Sequence, residues 1–251
     1  MQRLIVAGNW KMHGDRAMVD RYSAALRGVV GGAHAEVWLF PPAIWLERFV
    51  AALAGSSVEL GVQNIHAEAS GAYTGEASVG MAKDAGARLV LVGHSERRAL
   101  FGESDADVAA KTQAVLAAGL QPVVCVGESL DERQAGEAEA VVSAQLDAVL
   151  APMTENDRSR LVVAYEPVWA IGTGETATPQ IAQAMHAVIR ARLIESGAGS
   201  DVPLLYGGSV KPSNAGELFA QEDINGALVG GASLDENDFG GIIAAAERLL
   251  A

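Results

Sequence analysis

The chain has 251 residues, half of them hydrophobic, with 20% charged residues and a formal net charge of -13. That composition is too apolar for a disordered chain. The excess acid argues against nonspecific binding to nucleic acid or to an anionic membrane, and no run of about 20 apolar residues marks a membrane span.

Short apolar runs recur along the chain with helical stretches between them. The opening MQRLIVAGNW has too short an apolar part for a secretory signal, and 3–8 reads as the first strand. An amphipathic stretch, DRAMVDRYSAALRGVV, leads to strands at 35–40, 58–63 and 88–93. SDADVAAKTQAVLAAG reads as a helix opened by Ser104 and is followed by a strand at 121–127. AEAVVSAQLDAVLAPM, the strand 160–165 and TPQIAQAMHAVIRARLI come next, the last opened by Thr178 with Pro179 at the first helical position. Strands at 203–207 and 226–229 and the helix ENDFGGIIAAAERLL close the sequence, and the helices after the third and seventh strands are short.

The strand runs are nearly continuous in apolar residues, as expected of parallel strands buried on both faces. Eight strand–helix units in one unbroken chain predict the α/β class: a single-domain (β/α)8 TIM barrel over residues 1–251. The competing architecture is an open doubly wound sheet. It receives little support, because no G-x-G-x-x-G follows the first strand and GTGETA after the sixth lacks the final glycine.

In a barrel, residues just past the strand C-termini converge on one mouth. The first strand delivers Asn9 and Lys11, the fourth His94, Ser95 and Glu96, and the sixth Glu166. A carboxylate shielded from water is a competent general base, which fits Glu166. His94 precedes a predicted short helix from Ser95, and a helix N-terminus favours the neutral ring as a hydrogen-bond donor. Lys11 can hold an anion or stabilise oxyanion charge, or alternatively form a Schiff base, and its position does not separate these roles. Asn9 can donate its amide to a carbonyl or enolate oxygen. Glu96 can hold the Lys11 ammonium, and Arg97 with Glu103 reads as a structural pair.

IGTG, YGGS and LVGGAS follow the sixth, seventh and eighth strands, which suggests backbone N–H donors for a phosphate at Gly172, Ser209, Gly230 and Gly231. His13, His34, His66, His94 and His186 are scattered, so no metal or other cofactor is expected, and His186 is read as a helix-surface residue. Cys125, the lone cysteine, reads as a buried structural thiol in a reducing compartment, consistent with a cytoplasmic protein.

GNWKM at 8–12, GHSERR at 93–98, CVGE at 125–128, AYEPVWAIGTG at 164–174, YGGSV at 206–210 and LVGGASL at 228–234 together resemble the triosephosphate isomerase family along essentially the whole chain. The resemblance implies interconversion of dihydroxyacetone phosphate and D-glyceraldehyde 3-phosphate through an enediol(ate), without a cofactor. It implies Glu166 as base, His94 as electrophile, Lys11 and Asn9 as catalytic and substrate-binding residues, and Glu96 as partner of the lysine. Gly172, Ser209, Gly230 and Gly231 would meet the phosphate. Pro167, Val168, Trp169, Ala170, Ile171, Gly172, Thr173, Gly174, Glu175, Thr176 and Ala177 would form a closing lid that excludes water.

The resemblance also implies a homodimer through loop 63–78, with Thr74 reaching the neighbouring site. Ile65, Ala69, Ala72 and Tyr73 are the apolar residues of this loop expected to need a partner surface. Two departures from the family pattern stand out: Glu175 where relatives often carry lysine, and Asn225 where aspartate is frequent.

Overall fold

A computed structural model describes residues 3–170 and 177–251. Its eight strands are β1 Ile5–Asn9, β2 Glu36–Phe40, β3 Glu59–Val62, β4 Leu89–Val92, β5 Gln121–Val126, β6 Val162–Tyr165, β7 Leu204–Tyr206 and β8 Gly226–Val229. Each pairs in parallel with the next, and β8 returns to β1 with Gly226 opposite Ile5, so the sheet is a closed barrel. The predicted strands therefore sit in the expected places, each within two residues at either end.

Side chains alternate across a strand, which explains why these strands read as unbroken apolar runs. One set fills the barrel interior: Ile5, Ala7, Trp38, Phe40, Leu89, Leu91, Val123, Cys125, Val162, Ala164, Leu205 and Leu228. The alternate set, including Val6, Leu39, Val90, Val124 and Val163, packs outward against the helices. Cys125 is thus enclosed, and burial, reinforced by the nearby Glu166 charge, pushes its thiol pKa well up.

The helices that matter below are α1 Arg16–Val30, α2 Val79–Asp84, α3 Ser95–Phe101, α4 Asp105–Ala117, α5 Pro179–Glu195, α6 Ala215–Phe219 and α7 Glu236–Leu250. The short helices after β3 and β7 are α2 and α6. The start signals act as expected: Ser104 and Asp107 form a reciprocal capping box on α4, while Thr178 accepts from the Ile181 N–H with Pro179 opening α5.

Two sequence expectations are corrected. His186 is completely buried on α5, where its Nδ1 lies 3.1 Å from the Asp223 carbonyl and its ring packs against Tyr165. It shares a helix face with the buried Ala182, Ile189 and Leu193, a spacing of three or four residues that places it on the inward stripe. Ile65 is likewise buried, in its own chain, so it needs no partner surface. Loop 63–78 doubles back on itself, with the His66 N–H donating to the Ala77 carbonyl at 2.8 Å and the His66 ring stacked on Tyr73 at 3.9 Å. Ala69, Ala72 and Tyr73 remain exposed.

Asn225 acts locally. Its Oδ1 accepts from the Arg190 guanidinium at 2.9 Å and from the Leu204 N–H at 3.0 Å, at the N-terminal ends of β7 and β8. Asp223 supplies a carboxylate to the same guanidinium at 3.3 Å.

Candidate active site

Strand β6 ends at Tyr165, and Glu166 follows with its N–H on the Val126 carbonyl at 2.8 Å. Two glycines make room for it. A Cβ on Gly127 would lie 1.8 Å from the Glu166 carbonyl oxygen, and one on Gly207 would lie 2.8 Å from Glu166 Cγ. The side chain is only 2% exposed. Its Oε2 accepts from the Ser95 N–H at 2.9 Å, and its Oε1 lies 3.1 Å from His94 Nε2.

His94 is the N-cap of α3, and its Nδ1 accepts from the Glu96 N–H at 3.3 Å. With Nδ1 acting as an acceptor, Nε2 carries the hydrogen and donates to Glu166. The first turn of α3 therefore spends its unpaired backbone donors on the two site residues, one on the Glu166 carboxylate and one on the His94 ring. This fixes the imidazole as a donor aimed into the mouth of the barrel.

Lys11 has φ 49, and no other non-glycine among the described residues has a positive φ. Such a backbone persists only when its surroundings hold it. Here the Lys11 N–H donates to Asn9 Oδ1 at 3.0 Å, and Gln63 Nε2 donates to the Lys11 carbonyl at 2.9 Å and the Phe40 carbonyl at 2.8 Å. The Lys11 ammonium lies 2.5 Å from Glu96 Oε1, which sets it beside the Glu166–His94 pair.

A cavity of ≈ 400 Å³ opens at these groups, lined by Asn9, Lys11, His94, Glu166, Ser209, Gly230 and Gly231 among others. Glu96 holds Lys11 from outside this lining, and Thr74 lies on the exposed loop 63–78 away from its own chain's cavity. Asn214 organises the loop after β7: its Oδ1 accepts from the Lys211 N–H at 2.8 Å and its Nδ2 donates to the Ser209 carbonyl at 3.2 Å.

Of the expected lid, Pro167 and the 3₁₀ turn Val168–Ala170 follow Glu166 directly, and Ala177 is buried. Ile171, Gly172, Thr173, Gly174, Glu175 and Thr176 lie outside the described residues. The Trp169 indole donates to Glu128 Oε1 at 2.8 Å, and the Tyr165 hydroxyl donates to the same oxygen at 3.0 Å. Arg133 approaches it at 3.2 Å. Burial, followed by the Glu128 charge, holds the Tyr165 hydroxyl well above the usual phenol range. Glu128 is fully buried, and nothing in the sequence assigned it this role, because two of its partners, Tyr165 and Trp169, lie far along the chain. Its place in CVGE was the available signal.

Arg97 and Glu103 pair at 2.9 Å, and Lys111 joins the same carboxylate at 2.6 Å. Among the described residues, no group of three or more His, Cys, Asp or Glu side chains is placed to hold a metal ion, and no helix is long and apolar enough to cross a membrane.

The family model for triosephosphate isomerase matches residues 4–246. A triosephosphate isomerase of Herminiimonas arsenicoxydans is 50% identical over 248 residues, covering 98% of this chain and 100% of the relative. One from Thiobacillus denitrificans is 52% identical over 250 residues, covering 99% and 100% respectively. One from Marinobacter nauticus is 52% identical over 242 residues, covering 95% and 96%.

Proposed function

Because the chain belongs to the triosephosphate isomerase family, we propose that it interconverts dihydroxyacetone phosphate and D-glyceraldehyde 3-phosphate through an enediol(ate), with Glu166 as base and His94 as electrophile. The observation that carries this assignment is the buried contact of Glu166 with the donor nitrogen of His94, 3.1 Å apart in the cavity.

The chemistry follows from the hydrogen bonds. Glu166 is held by two donors, Ser95 N–H and His94 Nε2, one on each carboxylate oxygen. A substrate carbonyl placed in the cavity takes over the His94 donor and leaves the carboxylate free to remove a proton from the adjacent carbon. The electron pair moves to the carbonyl oxygen, where His94 Nε2, Asn9 and the Lys11 ammonium stabilise the charge. Glu166 then returns the proton to the neighbouring carbon, while the His94 ring shuttles hydrogen between the two oxygens. The N–H groups of Ser209, Gly230 and Gly231 receive the phosphate, with Lys11 adding its charge. The Lys11–Glu96 ion pair suits an ammonium role better than a Schiff-base role.

The same proposal takes residues 1–251 as one domain working in the cytoplasm, without a cofactor. It also takes the protein to be a homodimer in which loop 63–78 and Thr74 meet the partner's site. Support comes from exposed apolar side chains on the loops and helices that follow the first four strands: Met12, Ile44, Tyr73, Met81, Leu100 and Phe101.

The test is to incubate the protein with dihydroxyacetone phosphate in D2O and follow the product. Glyceraldehyde 3-phosphate should form with solvent deuterium at C2, because a carboxyl base exchanges its hydrogen with solvent. Any deuterium at C2 excludes a direct hydride shift, and absence of product would exclude the mechanism.

A further inference from the structure

The chain has four lysines, and three have their ammonium groups engaged. Lys11 sits 2.5 Å from Glu96, Lys83 donates to the Ala118 carbonyl at 2.6 Å, and Lys111 meets Glu103 at 2.6 Å and Asn64 at 2.9 Å. Lys211 is different: among the described residues its ammonium has no acceptor, its side chain is exposed, and it lines the cavity that contains Glu166.

Its root is nonetheless fixed. The Lys211 N–H is held by Asn214, and Asn214 also holds the Ser209 carbonyl. The charged head therefore hangs from a defined point beside Ser209 while remaining free to reorient.

The charges around the cavity explain what such a group does. Among the described lining residues the cations are Lys11 and Lys211, with the titratable His13 nearby, and the lone acid is Glu166, which is almost completely buried. Lys11 is already offset by Glu96. A dianionic phosphosugar approaching a protein of net charge -13 meets a repulsive field over most of the surface. An exposed, uncompensated cation at one opening reverses that field locally.

From this we infer that Lys211 is a steering residue. It draws the phosphate-bearing ligand into the mouth and acts on capture rather than on the chemical step. The inference rests on the isomerase proposal for the identity of the ligand, but not for the attraction of phosphate.

Two measurements test it. In the isomerase assay, Lys211→Gln should lower kcat/KM about threefold at low ionic strength and leave kcat unchanged. The deficit should shrink towards nothing as salt rises past roughly 0.3 M, where the Debye length falls to about 6 Å. Lys211→Arg should restore the wild-type value. Lys83→Gln removes the same charge at the opposite end of the barrel and should change neither kcat/KM nor its salt dependence. A deficit in Lys211→Gln that is independent of salt, or an equal deficit in Lys83→Gln, overturns the steering role.

The second measurement is calorimetric titration with inorganic phosphate, which needs no turnover. Affinity should fall about threefold in Lys211→Gln at low salt, with an unchanged circular dichroism spectrum; equal affinity in the two proteins overturns the inference. If phosphate binds with this dependence on Lys211 while dihydroxyacetone phosphate is not turned over, the isomerase proposal fails and the steering role stands.

Discussion

Two partly buried polar clusters occupy opposite ends of the barrel, and they are built on opposite terms. At the N-terminal ends of β7 and β8, Arg190 donates to Asn225, Asp223 and the Val202 carbonyl, while Gln183 accepts from the Asp223 N–H at 3.0 Å. Every one of these contacts ties one segment to another. At the C-terminal mouth, Glu166, His94 and Lys11 use similar groups, but all three line a cavity, and Lys11 sits on a strained backbone. One cluster spends its polar groups on holding the fold. The other leaves them facing a space where a ligand can compete for them.

The largest test of that contrast is Glu166→Gln. The amide keeps the shape of the side chain but removes the base, so kcat should drop on the order of 10³-fold. Stability should change little, because removing a buried charge offsets the one donor, Ser95 N–H or His94 Nε2, that then faces the amide NH2 instead of an oxygen. An active variant would take Glu166 out of the base role. A large loss of thermal stability would instead place it with the structural cluster.

The lower cluster should reveal itself through pH rather than turnover. Burial pushes the His186 pKa down from its ordinary 6.5 to about 4. The groups facing it are Asp223 and Arg190 together with the Tyr165 and Tyr206 rings. In the unfolded chain the ring takes up a proton as pH falls below about 6.5, whereas in the folded protein it resists until near 4. The stability it contributes is complete above pH 6.5 and is lost progressively as pH falls towards 4, by roughly 3 kcal/mol. Denaturant unfolding of His186→Gln at pH 7 and pH 4.5 should show a shallower pH dependence than the parent. Parallel curves for the two proteins would mean that the ring titrates normally.

His186 also shows where the sequence was legible and where it was misread. Eight buried strands announce themselves as apolar runs because both faces must be covered, and that pattern survives without any knowledge of partners. The residues at strand ends were legible for a related reason: Asn9, His94 and Glu166 are polar residues placed where apolar runs stop. His186 was misread because one polar residue on a helix was weighed by type, although its spacing from Ala182 and Ile189 put it on the inward face. Glu128 and Gln63 were not assigned roles, because their meaning depends on Trp169, Tyr165, Lys11 and Phe40, which are distant in the chain. Lys211 carries no sequence signal beyond its neighbourhood to YGGS.

The strain at the mouth predicts a trade. Glycine adopts a positive φ without the steric penalty of a side chain. Lys11→Gly should therefore raise stability by about 1 kcal/mol, after allowing for the lost, half-exposed pair with Glu96. The same change should reduce kcat/KM by at least about tenfold, since the ammonium is gone. A drop in stability would mean that the ion pair, rather than the backbone, dominates at this position.

The smallest effect is expected at Asn225, and its smallness is the informative part. An aspartate there would face a guanidinium that already has Asp223 at 3.3 Å, so much of the charge compensation is in place. Asn225→Asp keeps an oxygen for the Arg190 and Leu204 donors and adds attraction to Arg190, but it also adds repulsion from Asp223 and removes the amide's own donors. These terms largely cancel, leaving a gain of about 0.5 kcal/mol, which for a chain of this size moves the melting temperature by only about 1–2 °C. Because the cluster lies at the end of the barrel away from the cavity, kcat and KM should both stay at their parental values. A gain of several degrees would show that Asp223 does not compensate Arg190. A change in kcat would show that the two clusters are coupled through β7 and β8, against the separation of duties that the geometry describes.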